Sequence, residues 1–206
     1  MFYSLWNIVG RLLRLGQSEV CLSEVDEPKP LVDKSRLEIV SGDITTFEVD
    51  AIVNAANGSL LGGTGVDGAI HEAAGDELLA ECRTLGGCLT GEAKITKGYR
   101  LPCKYVIHAV GPRVTELEPT ENDKALLRSA YRNALVLADQ NGCSTVAFSS
   151  ISTGHYNFAP YLAAPIAIDT ILEYVNSPEN QNIEKVYMVC YTDYVRQCFD
   201  EAFEGM

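Results

Sequence analysis

The stretch from Asp50 to Gly68 constrains the fold more than any other part of the chain. It runs Asp50-Ala51-Ile52-Val53-Asn54-Ala55-Ala56-Asn57, and after four residues continues as Gly62-Gly63-Thr64-Gly65-Val66-Asp67-Gly68. The first part is apolar and branched, so it reads as a buried strand ending near Asn54. The glycines that follow permit turns that other residues resist. Beyond them Ala69, Ile70, Ala73, Ala74 and Leu78 recur at helical spacing, which predicts one helix over Val66–Thr84. A buried strand feeding through a loop into a helix is the unit of a parallel sheet covered by helices.

The same alternation continues along the chain. Further strands are predicted at Leu37–Val40, Glu92–Lys97, Tyr105–Ala109, Thr145–Phe148 and Val186–Cys190, beside the central Ala51–Asn54. Further helices are predicted at Asp123–Gln140, Tyr161–Val175 and Asp193–Glu204. In the first of these Leu126, Leu127, Ala130, Ala134, Leu137 and Ala138 form one apolar face. Glu92–Lys97 and Tyr105–Ala109 are joined through Leu101-Pro102-Cys103 and read as an antiparallel pair. The expectation is an α/β domain over 35–206 with a central mixed, mostly parallel sheet. A chain of 206 residues suits one such domain. Ahead of it, Leu5, Ile8, Val9, Leu12 and Leu13 predict a helix within residues 1–18, followed by an irregular, proline-bearing arm to Lys34. The helix is interrupted by Arg11 and Arg14 too early to span a membrane. It reads as a surface helix, with a mitochondrial transit peptide as the competing reading.

Charge limits the partners. The chain carries 16 basic and 28 acidic residues, a formal net charge of −12. Tracking nucleic-acid phosphates requires a field of lysine and arginine, so nucleic acid is not expected as the main partner. An anionic ligand would have to be held by local dipoles rather than by overall charge. The seven cysteines, Cys21, Cys82, Cys88, Cys103, Cys143, Cys190 and Cys198, include no CxxC pair. They read as free, mostly buried thiols of a reducing compartment, and no metal site is expected from their spacing. The expected location is cytoplasmic and the expected state monomeric; a nuclear address stays open.

Two loops carry the chemistry. Glycines and a helix start after Asn54 offer backbone N–H groups and the positive end of a helix dipole, a phosphate cradle that needs no lysine. A second loop, Phe148-Ser149-Ser150-Ile151-Ser152-Thr153-Gly154-His155-Tyr156, also follows a strand. Ligands of α/β sheets bind at such carboxyl ends. Two such loops would clamp one diphosphate; an ordinary tight βα turn, which is common, is the competing reading of the second loop. Gly63 to Gly68 also fits GxGxxG, a weak match by itself. Asp67 inside it is either a helix-start residue favoured by the dipole or a carboxylate with its own task, and residue types leave both readings open. His71 and His108 read as packing histidines; His155 alone is placed near a ligand. GxSxG is absent, which disfavours a serine nucleophile and favours an activated water.

Taken together, Gly42–Thr45, Asp50–Asn57, Gly62–His71, Thr90-Gly91-Glu92-Ala93, Tyr105-Val106-Ile107-His108 with Gly111-Pro112, and Ile151–Gly154 resemble the macrodomain family, in its MacroD-type branch. The likeness runs from about Leu37 to near the C-terminus. It implies a three-layer α/β/α fold and ADP-ribose as ligand. It implies that Asp43 accepts from the adenine amino group beside Ile44, and that Asn57 holds the distal ribose. Gly65, Val66 and the helix start would bind diphosphate from one side, and Ser152, Thr153, Gly154 and His155 from the other. Tyr156 would pack on the distal ribose and Tyr191 near adenine. Asn57 and Asp67 would be catalytic, with Asp67 activating water. The branch hydrolyses ADP-ribose esters on Asp and Glu side chains of proteins and deacetylates O-acetyl-ADP-ribose, without metal or cofactor.

Two departures stand out. Thr64 breaks the usual run of four glycines, and Asn157 stands where the second loop usually has glycine. Asparagine tolerates positive φ, so Asn157 is expected to keep the turn. Competing functions are a non-catalytic reader of ADP-ribosylated proteins and a Rossmann-type NAD oxidoreductase, the latter suggested by the glycines of residues 63–68.

Overall fold

The computed structural model describes residues 32–206. The helix expected within 1–18 and all but the end of the arm lie outside the described residues. Six strands, β1 (Leu37–Ser41), β2 (Val49–Ala55), β3 (Ala93–Lys97), β4 (Cys103–Ala109), β5 (Thr145–Ser149) and β6 (Lys185–Cys190), form one sheet in the order β1-β6-β5-β2-β4-β3. All neighbours are parallel except β3 and β4, which pair antiparallel with Ala93 opposite Ala109 and Lys97 opposite Tyr105. The expected mixed, mostly parallel sheet is therefore present, and each predicted strand falls within a residue or two of its place.

Five helices cover the sheet: α1 (Val66–Ala74), α2 (Asp76–Thr84), α3 (Glu121–Gln140), α4 (Pro160–Val175) and α5 (Asp193–Glu204). Alternate residues of the central strand sort the two faces. Ala51 and Val53 pack with Leu127, Tyr131 and Ala134 of α3, Ile168 and Ile171 of α4 and Phe199 of α5. Ile52 packs with Ile70 and Ala74 of α1 and Leu78 and Cys82 of α2. This is a three-layer α/β/α arrangement with a core on each face of the sheet. The six described cysteines, Cys82, Cys88, Cys103, Cys143, Cys190 and Cys198, are free, four of them buried, as expected.

The single helix expected over Val66–Thr84 is two. Gly75, at φ 90°, ends α1 by donating its N–H to the His71 carbonyl and starts α2. That backbone conformation suits only glycine, and the Arg100 guanidinium packs where a Cβ would lie, 2.8 Å from Cζ. Periodicity alone misses the break because both helices present their apolar residues to the same face. Chain ends are tied locally: Thr120 and Asp123 form a reciprocal capping box at the start of α3.

The parallel strands β1, β2, β5 and β6 all point their carboxyl ends at one edge. Each runs there into a loop: Gly42–Asp43, Ala56–Gly65, Ser150–Ala159, and Tyr191–Thr192. That edge holds the site.

Candidate active site

The four loops enclose a cleft of about 770 Å³, within the usual range for small-molecule sites. Asp43, Ile44, Asn57, Gly65, Val66, Asp67, Ser152, Thr153, Gly154, His155, Tyr156 and Tyr191 all line it. The structure thus brings together every residue that the family resemblance assigns to the ligand or to catalysis. Among the described residues no lysine or arginine lines the cleft. An anion there must be met by backbone dipoles, as the charge balance requires.

The first loop is shaped around Asp67. Gly65 precedes α1 at φ 65°, a glycine conformation, and its carbonyl accepts from Ala69 N–H at 3.0 Å. The N–H groups of Val66 and Asp67 lie in the first helical turn, where no carbonyl precedes them. Asp67 itself is 4% exposed. Its Oδ1 accepts from Asn54 Nδ2 at 2.7 Å and its Oδ2 from Asn57 Nδ2 at 3.1 Å. Asn57 is pinned in turn: Nδ2 also donates to the Gly62 carbonyl at 2.8 Å, and Oδ1 accepts from Ser59 N–H at 3.0 Å. Of the two readings of Asp67, the helix-start reading alone does not explain this. A surface acid favoured by a dipole needs no pair of amides, one wholly buried and one half-buried, holding both its oxygens.

His71 was read as a packing histidine, and the structure corrects that. One helical turn after Asp67, its Nε2 lies 3.6 Å from Asp67 Oδ1, is buried, and has no hydrogen-bond partner. An i,i+4 pair shares a helix face, and that spacing was the available signal. Asn54 was missed as a site residue as well. Its signal was a carboxamide at the end of a buried strand, where polar side chains need a partner.

The second loop offers main chain more than side chain. The Thr153 hydroxyl donates to the Ser150 carbonyl at 3.0 Å, and Ser152 Oγ is buried without a partner against Gly111. The N–H groups of Gly154, His155 and Tyr156 have no partner among the described residues. Asn157 holds φ 57° and donates its N–H to the Gly154 carbonyl at 2.9 Å, so it keeps the turn as expected. Ser152 also takes positive φ, 66°. The two loops meet where Thr64 Oγ1 and His155 Nε2 stand 3.5 Å apart. At the far end Asp43 caps the turn Ile44–Thr46, its Oδ1 accepting from Thr45 N–H at 3.0 Å. Tyr191 is 86% exposed beside it.

Among the described residues one set of side chains has donor atoms grouped as a metal site would: His71, Cys82 and His108, within 4.8 Å of one another. The set is a poor cage. His108 Nε2 already faces the Thr96 hydroxyl at 3.0 Å, and burial pushes the Cys82 thiol up to about 11, away from the thiolate a cation prefers.

Known proteins place this architecture. The family model of the Macro domain matches residues 53–167. The chain belongs to the macrodomain family. An O-acetyl-ADP-ribose deacetylase of Citrobacter rodentium is 50% identical over 163 residues, 77% of this chain and 90% of that one. ADP-ribose glycohydrolase MACROD2 of Xenopus laevis is 49% identical over 181 residues, 86% of this chain and 42% of that longer protein. The solved Oceanobacillus iheyensis macrodomain with ADP superposes with a TM-score of 0.77 at 40% identity, covering 85% of this chain and 93% of that one. That macrodomain has also been solved with an asparagine and an aspartate replaced, ten positions apart as Asn57 and Asp67 are here. Another of its variants, with a glycine replaced by valine, has been solved with ADPR. Membership removes the Rossmann reading of residues 63–68. The glycines follow β2 rather than β1, and residues 56–61 separate them from the strand. Among the described residues no helix is long and apolar enough to cross a membrane.

Proposed function

We propose that this macrodomain binds ADP-ribose and hydrolyses the bond between its distal ribose and an acyl group, releasing mono-ADP-ribose from Asp and Glu side chains or acetate from O-acetyl-ADP-ribose. The observation that carries the reading is the placement of Asp67. It is a buried carboxylate at a helix start, held through both oxygens and open to a cleft that, among the described residues, no lysine or arginine lines.

On this reading each part of the cleft has a task, which its lining residues support. Main-chain N–H groups of Gly65–Asp67 and Gly154–Tyr156 bind the diphosphate from two sides. Asp43 and Ile44 receive adenine at one end, with Tyr191 over it. The distal ribose then falls at Asn57, Asp67 and Tyr156. Asp67 accepts a proton from a water beside it as that water attacks the acyl ester. Acid and ADP-ribose leave, and the proton passes to the released group. Asn57 holds the carboxylate rather than acting as base, because its amide is spent on Asp67 and Gly62. Binding energy from the nucleotide orients a weak nucleophile, which is where most of the rate arises.

A reader module is the second reading, and it needs the same diphosphate clamp. Asp67 favours the enzyme, since a reader has no use for a buried carboxylate beside an anionic ligand. The two are tested in one experiment: incubation with protein carrying ester-linked mono-ADP-ribose, beside O-acetyl-ADP-ribose, with released ADP-ribose and acetate quantified. Turnover of either substrate supports the hydrolase. Tight binding of ADP-ribose with no turnover of either supports the reader.

A further inference from the structure

Behind Asp67, on the side away from the cleft, lies a line of buried polar groups that the reaction above does not use. Asn54 Nδ2, 2.7 Å from Asp67 Oδ1, is also 3.2 Å from His108 Nδ1. His108 Nε2 is 3.0 Å from Thr96 Oγ1, and the Thr96 hydroxyl donates to the Val106 carbonyl at 3.3 Å. Asn54 and His108 are wholly buried and Thr96 is 2% exposed. The three sit on adjacent strands β2, β4 and β3, with Asn54 opposite His108 and Thr96 opposite Val106. The line therefore crosses the sheet from its edge strand to the candidate catalytic acid.

Hydrogen positions along this line are fixed by what each group can do. A carboxylate only accepts, so the Asn54 atom against Asp67 is the amide nitrogen. The same nitrogen faces His108 Nδ1, which must then carry a lone pair. Burial, with His71 close by, holds the His108 pKa at about 3, so the ring is neutral near pH 7. Its one proton is therefore on Nε2, where it is donated to Thr96 Oγ1. The Thr96 proton is already directed to a backbone carbonyl that cannot move. Asn54 Oδ1 is left buried with no partner. Such an orphan is costly, so something stronger keeps the amide from turning.

We propose that Thr96 and His108 are positioning residues, which hold the Asn54 amino group toward Asp67 and so set the angle of that carboxylate to the attacking water. The inference rests on the hydrolase reading of Asp67. Removal of the Thr96 hydroxyl leaves the Nε2 proton only Cys82 Sγ, 3.6 Å away, a weak acceptor. The tautomer with its proton on Nδ1 then competes. Asn54 turns its oxygen toward that proton, and an oxygen instead of a donor faces Asp67 Oδ1.

Two substitutions at one position separate this role from packing. Thr96→Val keeps the shape and loses the hydroxyl; Thr96→Ser keeps the hydroxyl and loses a core methyl. Each is compared with the parent for turnover of ester-linked ADP-ribose, for ADP-ribose affinity by calorimetry, and for the His108 tautomer by 15N spectroscopy. Thr96→Val is expected to lower kcat roughly tenfold or more, with KM and affinity changed less than about twofold and both tautomers populated. Thr96→Ser is expected to keep kcat within about twofold of the parent while melting at lower temperature. If Thr96→Ser loses more turnover than Thr96→Val, the hydroxyl does not position Asp67 and the proposal is overturned. A parent protein without turnover contradicts the hydrolase reading instead. The spectra still decide the network in that case, because a His108 tautomer unchanged in Thr96→Val overturns the proposal whether or not the protein is an enzyme.

Discussion

Gly63 leaves Asp67 its place: a Cβ built on Gly63 would stand 2.9 Å from Asp67 Oδ2 and 3.3 Å from Asn57 Nδ2. The glycine is therefore needed for the room it vacates beside the carboxylate. Gly63→Ala should push Asp67 off its amide partners while leaving the core untouched. Its kcat should fall roughly tenfold or more, since small misplacements at a reacting centre are costly, with the melting temperature within a few degrees of the parent. Steady-state kinetics beside thermal unfolding check this; an alanine variant with parental kcat would mean that the position of Asp67 is not critical.

His71 brings a buried, unpartnered Nε2 to 3.6 Å from Asp67 Oδ1. The gap is too long for a hydrogen bond, and such contacts tighten when substrate binds. His71→Phe fills the same space without the nitrogens. It is expected to reduce kcat by at least roughly tenfold and to change the ADP-ribose dissociation constant by less than about threefold. Single-turnover rates and calorimetry separate the two effects.

A cleft lined by no lysine or arginine among the described residues is expected to bind its anion through fixed dipoles, which involve no exposed ion pairs for salt to screen. ADP-ribose affinity should therefore change less than about threefold when ionic strength is raised from about 0.05 M to about 0.5 M. Titrations at several salt concentrations test this. A loss of an order of magnitude would point to cationic side chains at the diphosphate.

Acid stability should carry the mark of two groups in separate windows. His108 is held at about 3 in the folded chain, below its ordinary 6.5, by burial and by His71. The unfolded chain takes up that proton first, so stability present above pH 6.5 is lost as pH falls from there toward 3. The slope approaches about 1.4 kcal/mol per pH unit for one such group. Burial raises the Asp50 carboxyl, but donors from Lys104, Ser144 and Thr145 outweigh it and hold the carboxyl far below its usual 3.8, so its contribution fades only below that value. Urea unfolding between pH 7 and pH 4 should show a shallower slope in His108→Gln than in the parent. Asp50→Asn should lower stability across this range and leave its slope unchanged.

Much of this was legible in the sequence. The strand ending at Asn54 and the glycines before Val66 place one loop, and the run Ser149–Tyr156 places the other, because strand patterning and glycine are local signals. Gly75 escaped notice as a helix break since the apolar rhythm runs through it. His71 and His108 both read as packing because a histidine on an apolar face usually is; the i,i+4 spacing already sets His71 over Asp67 on one helix, whereas only the fold aligns His108 with Asn54 across neighbouring strands. The Thr153 hydroxyl is turned into its own loop and Ser152 Oγ is buried against Gly111, so this loop offers the cleft main chain, as its residue types suggested. Which N–H group of the loop faces the cleft depends on turn geometry, as at Ser152 with its positive φ, and composition does not carry that.

The most direct measurement compares the parent with Asp67→Ala in two assays on the same preparations: release of ADP-ribose from ester-modified protein, and calorimetric binding of ADP-ribose. The account predicts that turnover falls by at least roughly a hundredfold while the dissociation constant stays within about tenfold, since the backbone amides that grip the diphosphate remain. Parental turnover in the alanine variant would contradict it.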